Sequence, residues 1–300
     1  IKNFRDDLLI TSQDPFECGL AAWLIKRKFG IPLQLQIHTD FLNHYFWKES
    51  FLNKIRVLLA KFLIPRANCI RVVSERIRQS LIQNSKFKIQ NSKVVVLPIF
   101  IDIKKNQDAP VNIDLHKKYP QFDFIILMAS RLTKEKNIGL AIEAMAEVAK
   151  KHHKTGLIIV GEGPEENKLA LRATRCALRG NVIFEPWTDD IISYYKTADL
   201  FLLTSNYEGY GRSVVEAMAA GCPVIITDVG LAGEVLINKE NGIIAPVGSK
   251  EKLTEAILNL MEKPDLRETL IEVAKRTLNF WPSKEDYLKE YCDSWKLCLK

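Results

Sequence analysis

Two glutamates frame a glycine-rich turn in this chain: Glu208-Gly-Tyr-Gly-Arg-Ser-Val-Val-Glu216, followed by Ala-Met-Ala-Ala-Gly-Cys-Pro-Val. The segment follows the apolar run Leu200–Thr204 and opens a helical pattern over Ser213–Ala220. Gly209 and Gly211 allow a close approach to the backbone, and the amides around Gly211–Ser213 lie at the positive end of the helix. That is an anion site suited to a diphosphate. Glu208 falls in the loop, and Glu216 is expected in the first helical turn. A lone acid there reads as a partner of the helix dipole. Two acids around a glycine-rich turn favour a binding role instead.

Three further segments carry chemistry. Ser130-Arg131-Leu-Thr-Lys-Glu-Lys136-Asn137 also lies after a strand pattern and before a helix pattern. Arg131 offers a rigid fork and Lys136 a point charge, and the two can converge on one anion. The competing reading is a solvated loop. Gly161-Glu-Gly163-Pro164 has the first spacing of a dinucleotide fingerprint, but lacks its third glycine. His38-Thr39-Asp40 ends the strand pattern Leu33–His38, where a histidine can act as base, hydrogen-bond partner or structural residue.

The elements that must hold these residues alternate. Leu8–Thr11, Leu33–His38, Cys69–Ser74 and Val94–Pro98 read as strands, with helical patterns between them; Phe46–Leu63 is the longest of these. Lys104–Asn112 is polar, contains Pro110 and reads as a linker. Beyond it the alternation restarts, with strands at Phe124–Ala129, Gly156–Gly161, Val182–Phe184, Leu200–Thr204 and Pro223–Thr227. Phe280-Trp281-Pro282 breaks the pattern before a last helix over Lys284–Leu297, while Asn84-Ser-Lys86 and Asn91-Ser-Lys93 read as a polar loop. Strand–helix alternation on both sides of a linker predicts two doubly wound α/β domains with parallel sheets. The expected division is 1–104, 105–281 and a C-terminal helix, 282–300, returning toward the first domain.

Composition bounds the function classes. Three hundred residues, 47% of them apolar, suffice for two globular domains, and no run is long and apolar enough to span a bilayer. The chain begins at Ile1, and residues 1–7 resemble no signal peptide, so a fragment is expected. Residues 1–105 hold 18 Lys and Arg against 8 Asp and Glu, whereas the remainder holds 25 against 28. A basic first third favours an anionic partner. Phe46–Leu63 alternates apolar residues with Lys48, Lys54, Arg56 and Lys61, as either a core-facing helix or an interfacial one would. The six cysteines form no C-x-x-C pair, which predicts reduced, mostly buried thiols in a cytosolic protein.

Together these residues resemble the retaining nucleotide-sugar glycosyltransferases of family 4, which have the GT-B fold. The Glu208–Glu216 box with its following Ala-Met-Ala-Ala-Gly-Cys-Pro-Val is the most specific match. Ser74-Glu75, Pro98 to Asp102, Arg131 with Lys136, Gly163-Pro164 and Asn241-Gly242 follow in the expected order. The resemblance implies two Rossmann-like domains facing across a cleft, the first incomplete. It implies that Arg131 and Lys136 bind the diphosphate and Glu216 the ribose hydroxyls. Gly209, Tyr210, Gly211 and Arg212 would join them on the nucleotide sugar, with Glu208 and His38 beside the reacting sugar. The nucleotide sugar is a substrate, and neither cofactor nor metal is required. The acceptor is expected to be a glycan or lipid-linked molecule of the cell envelope. An anionic membrane surface is the expected further partner, and the location is cytoplasmic, peripheral at the inner membrane face. Two departures stand out: the family's N-terminal glycine-rich loop is absent, and Ile99-Phe100 replaces its Asn-Gly. The alternatives are a nucleotide-sugar epimerase or phosphorylase of similar fold, a non-catalytic sugar-nucleotide-binding homologue, and a nucleic-acid-binding protein; the last leaves the Glu208–Glu216 box unexplained.

Overall fold

The computed structural model describes residues 8–84, 87 and 89–299; residues 1–7 and Ser85-Lys86 of the polar loop lie outside it. The chain divides into two compact units. The first comprises residues 1–100, 207–210 and 282–300, and the second residues 101–206 and 211–281.

The first unit carries a four-stranded parallel sheet in the order β1-β2-β3-β4, formed by Ile10–Ser12, Leu33–Ile37, Cys69–Val72 and Val94–Val96. Strand β2, Leu-Gln-Leu-Gln-Ile, is buried at every position, glutamines included. The last helix, Lys284–Leu299, lies against β2 and β3: Gln34 Nε2 donates to the Ser294 carbonyl at 3.1 Å. The Phe100 ring meets Tyr287 of this helix at a tilt, with ring centroids 5.3 Å apart.

Two expectations fail in this unit. Phe46–Leu63 is not one helix but two, His44–Glu49 and Phe51–Leu63. Ser50 is extended between them, and its side chain accepts from Asn53 N at 3.0 Å, capping the second. The cysteines are not all reduced: Cys69 on β3 and Cys298 on the last helix form a disulfide with Cα atoms 5.0 Å apart. Packing of the last helix on the sheet joins positions 229 residues apart in sequence, so no local spacing announced the pair.

The second unit has six parallel strands in the order β10-β9-β8-β5-β6-β7. In chain order they are Phe124–Ala129, Thr155–Val160, Val182–Glu185, Leu200–Leu203, Val224–Thr227 and Ile243–Ala245. β5 and β6 are buried throughout, as apolar runs covered on both faces must be. The chain leaves β5 toward β6 and β7, then returns to the other side of β5 as β8. The order therefore reverses between β5 and β8, and such a reversal opens a crevice at the carboxyl ends of its two strands. The expected linker over Lys104–Asn112 is instead part of this unit. Residues Ile103–Asp108 form a helix capped by Asp102, which accepts from Lys105 N at 2.9 Å. Asn112 N donates to Ser193 Oγ at 3.0 Å, tying the following stretch down.

Candidate functional site

In the second unit the reversal point is furnished by two of the predicted segments. The loop after β5 carries Arg131, and a short 3-10 turn, Lys134–Lys136, follows it. The turn hangs from the end of β8: Thr204 Oγ1 donates to the Lys136 carbonyl at 3.0 Å, and Asn206 N to the Glu135 carbonyl at 2.7 Å. Lys136 thereby lines a small recess with Ser130, Thr204 and Ser205, at the carboxyl ends of β5 and β8. Arg131 is 78% exposed at its side chain, with Nη2 3.4 Å from Glu135 Oε1.

Gly161 and Gly163 act here by fit rather than as a phosphate loop of their own. A Cβ on Gly161, whose φ is +138°, would stand 2.0 Å from the Ser130 carbonyl oxygen, and one on Gly163 2.4 Å from that of Leu132. Leu132 N also donates to the Glu162 carbonyl at 2.9 Å. The Gly-Glu-Gly turn thus packs beneath the loop that presents Arg131.

The helix after the glycine-rich turn spans Arg212–Ala219, with Gly211 at its N-cap in the left-handed region at φ +99°. Glu216 is its fifth residue and stands in the second turn, not the first as expected. That placement removes the helix-dipole reading, since the dipole acts within the first turn. Glu216 accepts from Arg212 Nε at 2.7 Å, one helical turn back, and is 16% exposed. It also faces Tyr195, a fully buried phenol on the helix Ile191–Thr197. Burial, and next the negative charge of Glu216, push the Tyr195 hydroxyl well above its ordinary range. Glu216 is therefore an oriented carboxylate, paired with Arg212, at the edge of a buried cluster.

The remaining predicted residues belong to the first unit. His38 follows β2 directly, half-buried, with Nε2 3.3 Å from Gln36 Oε1. Burial, and then the positive charge of Arg71, lower its pKa from the usual 6.5. Residues 207–210 pack on this unit. Tyr207 donates its hydroxyl to Glu49 Oε2 at 2.5 Å, and Ser74 Oγ donates to the Gly209 carbonyl at 2.9 Å. Ser74 also caps the helix Glu75–Gln83, so one hydroxyl serves two elements. Gly209 lies directly on His38: a Cβ there would be 1.9 Å from the His38 carbonyl oxygen. Glu208 is half-buried and Tyr210 buried beside it in sequence.

Thus Arg131, Lys136, Gly211, Arg212 and Glu216 fall in one unit, and His38, Glu208, Gly209 and Tyr210 in the other. Sequence reading passed over Gln36, Arg71 and Tyr195. The signal for the first two was present, as glutamines and an arginine inside apolar strand patterns.

Residues 114–277 match the family described as glycosyl transferases group 1, and residues 1–105 match glycosyltransferase family 4. The chain belongs to the group 1 glycosyltransferases. Among relatives of this glycosyltransferase is an uncharacterized glycosyltransferase of Methanocaldococcus jannaschii, 27% identical over all of this chain and 80% of its own length. Another is the alpha-monoglucosyldiacylglycerol synthase of Streptococcus pneumoniae, 28% identical over 89% of this chain and 62% of its own. Anabaena HepE in complex with UDP and glucose shares the fold at a TM-score of 0.82. It is 22% identical, over 96% of this chain and 77% of its own. Sucrose-phosphate synthase of Thermosynechococcus elongatus also reaches 0.82, at 20% identity over 98% and 75%. The fold of this glycosyltransferase is thus that of the GT-B enzymes, two parallel-sheet Rossmann-like domains.

Proposed function

We propose that this glycosyltransferase moves a hexose from a nucleotide sugar to a lipid-linked or glycan acceptor, with retention at the anomeric carbon. The observation that carries this is the furnishing of the β5/β8 reversal point: Lys136 in the recess, Arg131 beside it and a partnered carboxylate, Glu216, on the helix after the glycine turn. Breaking a sugar–diphosphate bond leaves negative charge on the departing phosphate. Arg131, Lys136 and the amides at Gly211–Ser213 would meet that charge, stabilising the transition state more than the ground state. Glu216 would accept from the two ribose hydroxyls. In that role Glu216 is a diol acceptor and not a nucleophile, so Glu208 and Glu216 are not read as a glycosidase pair. The acceptor would attack on the face the phosphate leaves, and the phosphate would take the acceptor's proton. The reaction is assigned to these side chains and needs no bound metal. Solved relatives hold UDP and UDP-glucose, which supports a uridine donor.

The acceptor would be reached at the cytoplasmic face of an anionic membrane. No helix among the described residues is long and apolar enough to cross one. Phe51–Leu63 turns Val57, Ala60 and Leu63 inward but leaves Phe51 76% exposed, with Leu52, Ile55, Leu58 and Phe62 also outward. Arg66 lies 3.8 Å over the Phe62 ring and Lys61 5.9 Å from the Trp47 ring, a basic border to an apolar face. The helix Glu17–Phe29 adds exposed Leu24, Ile25 and Phe29, and its Trp23 meets Phe62 edge-on at 5.1 Å.

The donor assignment is tested by calorimetric titration of UDP, GDP and ADP into the protein and its Glu216→Ala variant. At least one nucleotide should bind, and the variant should bind it more weakly by ~1–3 kcal/mol, the range for hydrogen bonds to a charged group. Equal affinity in both proteins would remove Glu216 from the ribose.

A further inference from the structure

Arg71 is a buried cation with no carboxylate in ion-pair contact among the described residues. It is 3% exposed on β3, in the interior of the first sheet. Its Nε donates to the Leu97 carbonyl at 3.2 Å, and its Nη2 to the Pro98 carbonyl at 3.0 Å and to the Tyr287 hydroxyl at 2.9 Å. The guanidinium also lies 4.6 Å from the Tyr291 ring centroid. Nη1 donates to Gln36 Oε1 at 2.7 Å. Desolvating a charge for neutral acceptors alone is costly. Such a residue invites the question of what its charge orders.

A guanidinium donates and never accepts, so the Gln36 atom facing it must be the amide oxygen. The amide nitrogen agrees: Gln36 Nε2 donates to Thr11 Oγ1 at 2.7 Å and to the Tyr291 hydroxyl at 2.7 Å. The amide cannot flip without setting donor against donor on the Arg71 side. The same oxygen is 3.3 Å from His38 Nε2. An acceptor there requires the proton of a neutral imidazole on Nε2, which leaves the lone pair on Nδ1.

We infer that Arg71, acting through Gln36, is a positioning residue that holds His38 in the Nε2–H tautomer, so that Nδ1 accepts a hydrogen bond from a substrate hydroxyl. The substrate part rests on the function proposed above; the tautomer rests on geometry alone. Sugar hydroxyls are donors in search of acceptors, and a neutral Nδ1 provides one where a protonated or flipped ring would offer N–H. Burial and the nearby Arg71 charge, which both oppose imidazolium, work in the same direction.

Two-bond nitrogen–proton correlation spectra of histidine-labelled protein at neutral pH read the tautomer directly and need no substrate. Wild-type His38 should show the Nε2–H pattern. Gln36→Leu and Arg71→Met should give a mixed or reversed pattern, while Gln36→Glu, which can only accept, should keep it. Turnover should follow: kcat falls roughly 10- to 100-fold in the first two variants, as for a misplaced active-site group. In Gln36→Glu it stays within about threefold, and nucleoside diphosphate affinity is unchanged in all three. The Nδ1–H pattern in the wild type, or an unchanged pattern in Gln36→Leu, would overturn the inference. A confirmed tautomer with full turnover in His38→Ala would instead overturn the substrate role of His38 and leave the Arg71 assignment standing.

Discussion

His38 and Glu216 show how environment, not residue type alone, settles a role. Glu216 is paired with Arg212 in the second turn of its helix, which separates it from the many acids that merely complement a dipole. His38 is held neutral by burial and by Arg71. Its pKa is lower in the folded than in the unfolded chain, so the unfolded chain binds the extra proton first. The stability it contributes is present above about pH 6.5 and is lost as pH falls through its depressed native value. Thermal denaturation between pH 7.5 and 5 should show the wild type losing stability on acidification. His38→Asn should lose less over the same window. Parallel curves for the two proteins would mean that His38 titrates alike in both states.

At the scale of elements, Gly209 has the tightest fit to a predicted site residue. A methyl group would collide with the His38 carbonyl, which is backbone and cannot rotate away. Gly209→Ala should therefore cost ~1–3 kcal/mol in urea denaturation, as overpacking does. Gly180→Ala, which meets nothing within 4 Å, should stay within about 0.5 kcal/mol. An unaltered midpoint in Gly209→Ala would show that residues 207–210 are held some other way. The strands and their parallel order were legible because Phe124–Ala129, Thr155–Val160 and Val224–Thr227 are apolar runs buried on both faces. The break at Ser50 was hidden because apolar residues continue on both sides and the cap is one hydroxyl. Strand β10 escaped because it is three residues long between Gly242 and Pro246. The glycine turn was legible as a ligand loop. Glu216 was misplaced by one turn because helix starts set by a left-handed glycine carry no side-chain cap to mark them. Gln36 and Arg71 matter through each other, and only the pairing of β2 with β3 brings them into register, Gln36 opposite Arg71.

At the scale of the whole molecule, the +7 net charge is concentrated in the first third, the same stretch that exposes Phe51, Ile55, Leu58 and Phe62. An apolar face gains from insertion at a lipid interface, and each basic residue near an anionic surface adds about 1 kcal/mol. The protein should therefore co-sediment with vesicles containing phosphatidylglycerol, less with pure phosphatidylcholine, and be released as salt rises. Leu58→Glu should abolish the binding. Equal binding to both vesicle types, or none at low salt, would make this face something other than a membrane contact.

Sugar transfer with retention is tested most directly by a proton-NMR time course on UDP-glucose, UDP-N-acetylglucosamine and GDP-mannose. Each is incubated with the protein, first with water as the default acceptor and then with diacylglycerol in anionic vesicles. One donor should release its nucleoside diphosphate, faster with vesicles, and the first sugar product should have the anomeric configuration of the donor. An inverted anomer, an epimerised nucleotide sugar, or no release from any of the three would contradict the account.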